Sequence, residues 1–251
     1  DGGPATARVS LPADTPPDAL VEHMIGRKME QLFRDAQADG SWDRMKLSFD
    51  ATGQRCDAFR ANAAVRPGDH IVLGNMDWEA LYAPGHHPYC YLLYCAEHRI
   101  LISADALWEN GFGVVFPELE GVDGFDDVAA TLDLIERLQP RTLIPGHGPV
   151  FGDTEGALQR ARARLESFAQ APAKHARYGA KVLLKFKLQE FGRISRAQFL
   201  HWAQSVPYMQ SLHRQLGADL PMAAWLEQLL AELARSGALV LGPESLEDAA
   251  R

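Results

Sequence analysis

The spacing of apolar positions changes along this chain, and each change predicts a different kind of element. Leu20, Val21, Met24, Ile25, Met29, Leu32 and Phe33 recur at three- and four-residue intervals, which predicts an amphipathic helix over Leu20–Ala36. Arg66-Pro67-Gly68-Asp69 then reads as a turn feeding a short strand, His70–Leu73, and Trp78–Tyr82 supplies a second strand. Cys90–Cys95 and Arg99–Ser103 are apolar runs parted by Ala96-Glu97-His98, the pattern of a hairpin buried on at least one face. Phe125, Val128, Leu132, Ile135 and Leu138 return to helical spacing, Pro140 stops that helix, and Thr142–Ile144 forms a brief strand before Pro145-Gly146. Strand, helix, strand is the order of an α/β domain.

Beyond Asp153 only helical spacing remains until near the C-terminus. A long helix is expected over Glu155–Gln170, and Ala171-Pro172-Ala173 reads as a hinge. The domain boundary is therefore placed there, with a first domain over 1–170 and a second over 173–251. The second should hold a helix over His175–Phe191, one starting at Arg196 with Ser195 as its cap, one over Met222–Arg235 ended by Gly237, and a strand over Ala238–Leu241. Several helices followed by a strand suggest a winged-helix arrangement. No internal repeat or low-complexity tract interrupts the chain.

Charge narrows the partners. With a net charge of -8 over 251 residues, the chain is ill suited to sequence-blind attachment to DNA or to an acidic membrane surface, so a small-molecule partner is expected. No apolar run approaches the roughly 20 residues of a membrane span. Cys56, Cys90 and Cys95 are too few and too irregular for a disulfide framework, which makes a reducing cytoplasm the simplest compartment. Asp1-Gly2-Gly3-Pro4 is neither a start methionine nor a signal peptide, so the sequence reads as cut at its front. Locally, Lys174, Arg177, Lys181, Lys185, Lys187, Arg193 and Arg196 give the second domain a basic bias that would suit a nucleic-acid-binding module. The stretch Met222–Arg235, however, carries Glu227 and Glu232 against Arg235, which favours a substrate-cleft cover or a homo-oligomer contact over DNA reading.

Three short motifs place an imidazole or carboxylate on a tight loop beside a strand: Ala83-Pro84-Gly85-His86, Ile102-Ser103-Ala104-Asp105 and Ile144-Pro145-Gly146-His147-Gly148-Pro149. These are donors that hold zinc or iron while leaving a position for water, and glycine lets the backbone turn the side chain into a cleft. A single Pro-Gly-His is equally well a turn with a surface histidine; three such motifs in order shift the balance to metal ligation. His23, His70, His98, His175, His201 and His213 read instead as surface or core-edge residues, and Cys90 and Cys95 as small core residues. Trp78, Trp108 and Trp202 are core or cleft-lining candidates that the sequence does not separate.

In order and spacing these motifs resemble the metallo-β-lactamase superfamily over roughly Ile71–Gly152, where the later motifs read Pro-Gly-His, Gly-Asp and Pro-Gly-His-Gly. The resemblance implies an α/β fold, an αββα sandwich lacking its N-terminal part, followed by the winged-helix-like appendage. It also implies two divalent metal ions, zinc first and iron or manganese as alternatives, with His86 a ligand of one, Asp105 bridging both and His147 completing the second. Ala104 stands where the family has glycine, and His87 where many relatives have Thr or Ser, which makes His87 either a donor behind the ligands or a substrate contact. The family's His-x-His-x-Asp-His signature does not occur in the chain, and Asp1-Gly2-Gly3 leads to the expectation that it lies just upstream of residue 1. The implied activity is hydrolysis of an ester, lactone, thioester or related bond by a metal-activated water. The alternative is a non-catalytic domain of the same fold carrying a nucleic-acid- or protein-binding module.

Overall fold

The computed structural model describes Gly53 and residues 64–249, so the helix expected over Leu20–Ala36, with His23, and the residue Cys56 lie outside the described residues. The described residues fall into two compact units, 64–170 in one and 171–249 together with Gly53 in the other.

The first unit is built on a five-stranded sheet of β1 (His70–Leu73), β2 (Met76–Tyr82), β3 (Tyr91–Cys95), β4 (Ile100–Ala104) and β5 (Thr142–Pro145), in that spatial order. The first four strands are antiparallel neighbours, with a loop over 83–90 between β2 and β3, and β5 adds in parallel to β4. A parallel neighbour needs a crossover. Here the crossover contains a short helix, α1 (Phe116–Leu119), and a longer one, α2 (Phe125–Leu138). Glu118 accepts the backbone N–H groups of Gly124 and Phe125 at 2.7 and 2.9 Å, satisfying donors that the start of α2 leaves open. The face of α2 that carries Val128, Leu132 and Ile135 is buried, as its spacing demands, and each such side chain contributes about 1.5–3 kcal/mol of burial. Gln139, in the left-handed region at φ 46°, ends the helix one residue before Pro140.

After β5 the chain forms α3 (Thr154–Gln170). Arg162 on α3 grips Asp133 and Glu136 on α2, each through a 2.8 Å bond. Trp78 and Cys95 are fully buried, whereas Cys90 is half-buried.

The second unit contains α4 (Pro172–Phe191), β6 (Arg193–Ser195), α5 (Arg196–Ser205), α6 (Pro207–Leu216), α7 (Met222–Arg235), β7 (Leu239–Leu241) and β8 (Ser245–Asp248). Its three strands pair antiparallel in the order β6-β8-β7. The expected three-residue hinge is a correction: only Ala171 is non-helical there, because proline at the first helical position has the required φ and lacks only an N–H that would be unpaired anyway. Ser195 caps α5 as expected, accepting the N–H of Gln198 at 3.2 Å. Trp225, Leu226, Leu229 and Leu230 on α7 fill the core together with Leu183, Leu184 and Leu188 of α4.

His175, expected at the surface or the core edge, is instead 1% exposed within α4. Six basic residues of this unit are paired inside it. Arg177 and Lys181 meet Glu232, Lys185 meets Asp248, Lys187 meets Glu190, Arg193 meets Glu247 and Arg196 meets Glu227. Among the described residues, no helix is long and apolar enough to cross a membrane.

Candidate metal centre

His86, Asp105 and His147 leave the sheet on three different loops and meet at one end of it. The loop carrying His86 follows β2 and is closed by Ala83 N–H to Cys90 carbonyl and by Tyr82 hydroxyl to Pro88 carbonyl, at 3.0 and 2.8 Å. Thr131 of α2 donates to the Pro84 carbonyl at 2.8 Å, and Gly85, at φ 135°, lies so close to Val128 that a β-carbon would sit 2.7 Å from its methyl. Only glycine satisfies both demands, so the helix presses this loop into place.

Asp105 follows β4 through Ala104, which stands at φ 45°. The β4–β5 register shifts between Ile102 and Ala104, and this bulge turns the chain so that the Asp105 side chain projects beyond the strand end. An L-residue in the left-handed region costs roughly 1–2 kcal/mol, a cost that the family's usual glycine would not carry. His147 follows β5, with Gly146 N–H bonded to the Ala104 carbonyl at 2.7 Å. A β-carbon on Gly146 would meet Asp105 Oδ1 at 2.7 Å, and one on Gly113 would meet His86 Nδ1 at the same distance. Both glycines are therefore required by close approach to the site itself.

The two carboxylate oxygens of Asp105 face different imidazoles. Oδ2 lies 3.5 Å from His86 Nε2, and Oδ1 lies 3.7 Å from His147 Nε2. The result is two histidine–carboxylate pairs sharing one aspartate. Among the described residues, no three His, Cys, Asp or Glu side chains converge closely enough to hold a single ion.

His86 Nδ1 lies 2.6 Å from the Val114 carbonyl, which can only accept, so Nδ1 carries the proton and Nε2 presents its lone pair to the carboxylate. Burial pushes the His86 pKa down, against the opposing pull of Asp105, and so favours this neutral form. A lone pair facing a carboxylate at 3.5 Å is an unfavourable juxtaposition that a cation between them would resolve, so the donor chemistry fits a bound metal.

His87 is exposed and turns away along the loop. Its Nδ1 accepts the Tyr89 N–H at 3.3 Å, its ring lies 5.7 Å from that of Tyr89, and burial lowers its pKa while the Glu120 carboxylate raises it.

Trp108, which the sequence leaves among the core or cleft-lining candidates with Trp78 and Trp202, stands at the site itself. Its indole N–H donates to Asp105 Oδ1 at 3.0 Å, and its ring stands edge-on to His147 with centroids 5.1 Å apart. Its only sequence signal is its position three residues after the aspartate. Phe116 packs edge-on to His86 at 5.2 Å, and Pro84, Phe112 and Val128 help line the small concavity beside His86 and Asp105.

Comparison with known proteins places this geometry in context. Residues 19–147 match the family model of the metallo-beta-lactamase superfamily. The chain is 27% identical over 93 residues to acyl-coenzyme A thioesterase MBLAC2 of Gallus gallus, a match covering 37% of this chain and 34% of that relative's length. Among solved structures, it is similar to a metallo-beta-lactamase family protein of Thermus thermophilus, at 18% identity and TM-score 0.38, covering 87% of this chain and 67% of the other. A beta-lactamase domain protein of Burkholderia ambifaria gives 18% identity and TM-score 0.40, covering 76% and 54%.

Proposed function

The chain belongs to the metallo-β-lactamase superfamily, and from that premise we propose that it is a metal-dependent hydrolase acting on an ester, lactone, thioester or related bond of a small molecule. The observation that carries this reading is the division of Asp105 between two imidazoles, Oδ2 toward His86 and Oδ1 toward His147. An aspartate so placed would bridge two divalent cations, with His86 a ligand on one side and His147 on the other. Zinc suits these donors best, and iron or manganese would also be accepted. When bound, such cations lower the pKa of a coordinated water to about 7 and polarise the scissile carbonyl.

The protein's own part is orientation. Val114 fixes the His86 tautomer, Gly113 and Gly146 admit the side chains, and the Ala104 bulge directs Asp105 outward. Three side chains are too few for two ions, so the remaining ligands would have to be supplied by other residues. His87 would act at the rim, where its ring is available to a substrate. The similarity to an acyl-coenzyme A thioesterase supports trying thioesters first.

For the second unit, the strand order β6-β8-β7 behind a helical core supports a winged-helix reading. The internal pairing of Arg177, Lys181, Lys185 and Arg196 supports a role other than nucleic-acid binding.

The test is metal content of the purified full-length protein and of His147→Ala, with hydrolysis measured on acyl-CoA, aryl ester and lactone substrates. About two zinc or iron ions per chain are expected, with activity abolished by chelation, restored by zinc, and lowered more than about 100-fold in His147→Ala, since even residues behind the ligands are worth 10–100-fold in affinity. A protein devoid of metal and inert toward all three substrates refutes the proposal and leaves a non-catalytic domain.

A further inference from the structure

We infer that Trp108 is a positioning residue for the metal centre, holding Asp105 and His147 together as one half of it; this rests on the metal-dependent reading above. A carboxylate at the end of a strand can rotate about its terminal torsion and exchange its two oxygens. In this site a side-chain donor opposes that exchange: the Trp108 indole N–H bonds to Oδ1 at 3.0 Å, the same oxygen that faces His147 at 3.7 Å. Oδ2 is thereby left to His86.

The same indole constrains His147, whose side chain is 53% exposed and sits between Gly146 and Gly148, the latter at φ 92°. The edge-on indole 5.1 Å away supplies one wall for its ring. Trp108 is in turn held by its own loop. Its backbone N–H bonds to the Gly111 carbonyl at 2.7 Å, and the Gly113 N–H returns to the Asp105 carbonyl at 2.8 Å, which closes the segment on itself. One side chain thus bears on both members of the Asp105–His147 pair, its hydrogen bond going to the oxygen that faces His147. Removing it should disturb one half of the centre and spare the other.

The experiment is a zinc titration of metal-depleted full-length protein against a competing chromophoric chelator, for the wild type and Trp108→Phe, with melting temperatures of both metal-free forms. Phenylalanine keeps a ring against His147 and removes the donor. Two binding steps are expected in the wild type; in the variant one of them weakens about 10-fold or more, the other stays within about twofold, and the metal-free melting temperature changes little.

A wild type that binds two ions with a variant matching it in both steps overturns the role of Trp108 and leaves the metal centre standing. A wild type that binds no zinc overturns the metal centre and this inference with it. Independently of whether the variant folds, the Trp108 indole N–H should exchange slowly with solvent in the wild type and rapidly in Asp105→Leu; rapid exchange in the wild type also overturns the inference.

Discussion

At the scale of single residues, Ala104 shows how the site departs from what local preference would choose. Its φ of 45° is a glycine conformation adopted by an alanine, and it sits directly before the aspartate that it aims. Ala104→Gly would relieve roughly 1–2 kcal/mol of backbone strain and give back about 0.4–1 kcal/mol through the greater freedom of the unfolded chain. We therefore expect a net stabilisation of about 0.5–1 kcal/mol, read as a rise of a few degrees in melting temperature. A fall in melting temperature would show that the methyl group contributes packing that outweighs the strain. Ala104 was recognisable in the sequence only because a family pattern has glycine there; neither its φ nor the bulge beneath it leaves a mark in residue type. The same is true of His86, whose loop was visible as Pro-Gly-His but whose tautomer is set by a carbonyl 28 residues away at Val114.

At the scale of elements, the paired helices α4 and α7 convert a basic sequence bias into internal cohesion. Arg177, through its hydrogen bond above all, and then Lys181 hold the Glu232 carboxyl below the ordinary carboxylate range. Because the folded value lies below the unfolded one, the pair stabilises the fold above the ordinary range, and the contribution is lost as pH falls through the folded value. Glu232→Gln should therefore lower the stability of the second unit by about 1 kcal/mol at neutral pH, a modest amount because the pair is partly solvated. Urea midpoints followed from about pH 7 to about pH 3 should converge for variant and wild type, since the wild type alone loses this ionised pair on the way down. Midpoints that stay parallel would mean that Glu232 is protonated at its ordinary value. The long helices and the antiparallel hairpins were legible because their apolar spacing is sustained over many residues. The strands β6 and β8 were not, because each has a single apolar residue, Ile194 or Leu246, among polar neighbours, whereas the equally short β1, β5 and β7 are apolar runs. Helix α6 was passed over because its buried face consists of Met209 and Leu212 alone in an otherwise polar segment.

At the scale of the whole molecule, the two units should be separable in their thermodynamics. Calorimetry of the full-length protein is expected to show two transitions, with zinc raising only the one that belongs to the unit carrying His86, Asp105 and His147. A hundredfold excess over Kd would contribute about 2.7 kcal/mol, enough for a shift of roughly 10 °C in a unit of this size. A single transition, or an equal shift in both, would show that the units unfold together. By itself the sequence determined the strand–helix–strand order, the Pro-Gly-His and Ala-Asp loops at strand ends, and the change to helices beyond Asp153. Those features rest on period, on glycine and proline, and on chemistry confined to a few adjacent positions. Only the tertiary structure decided that Asp105 divides its oxygens between two histidines, that Trp108 donates to one of those oxygens, and that six basic residues of the second unit are paired with acids up to 63 positions away. Those relations depend on which loops meet at the end of the sheet and which helix faces touch, and the packing of the whole chain fixes both.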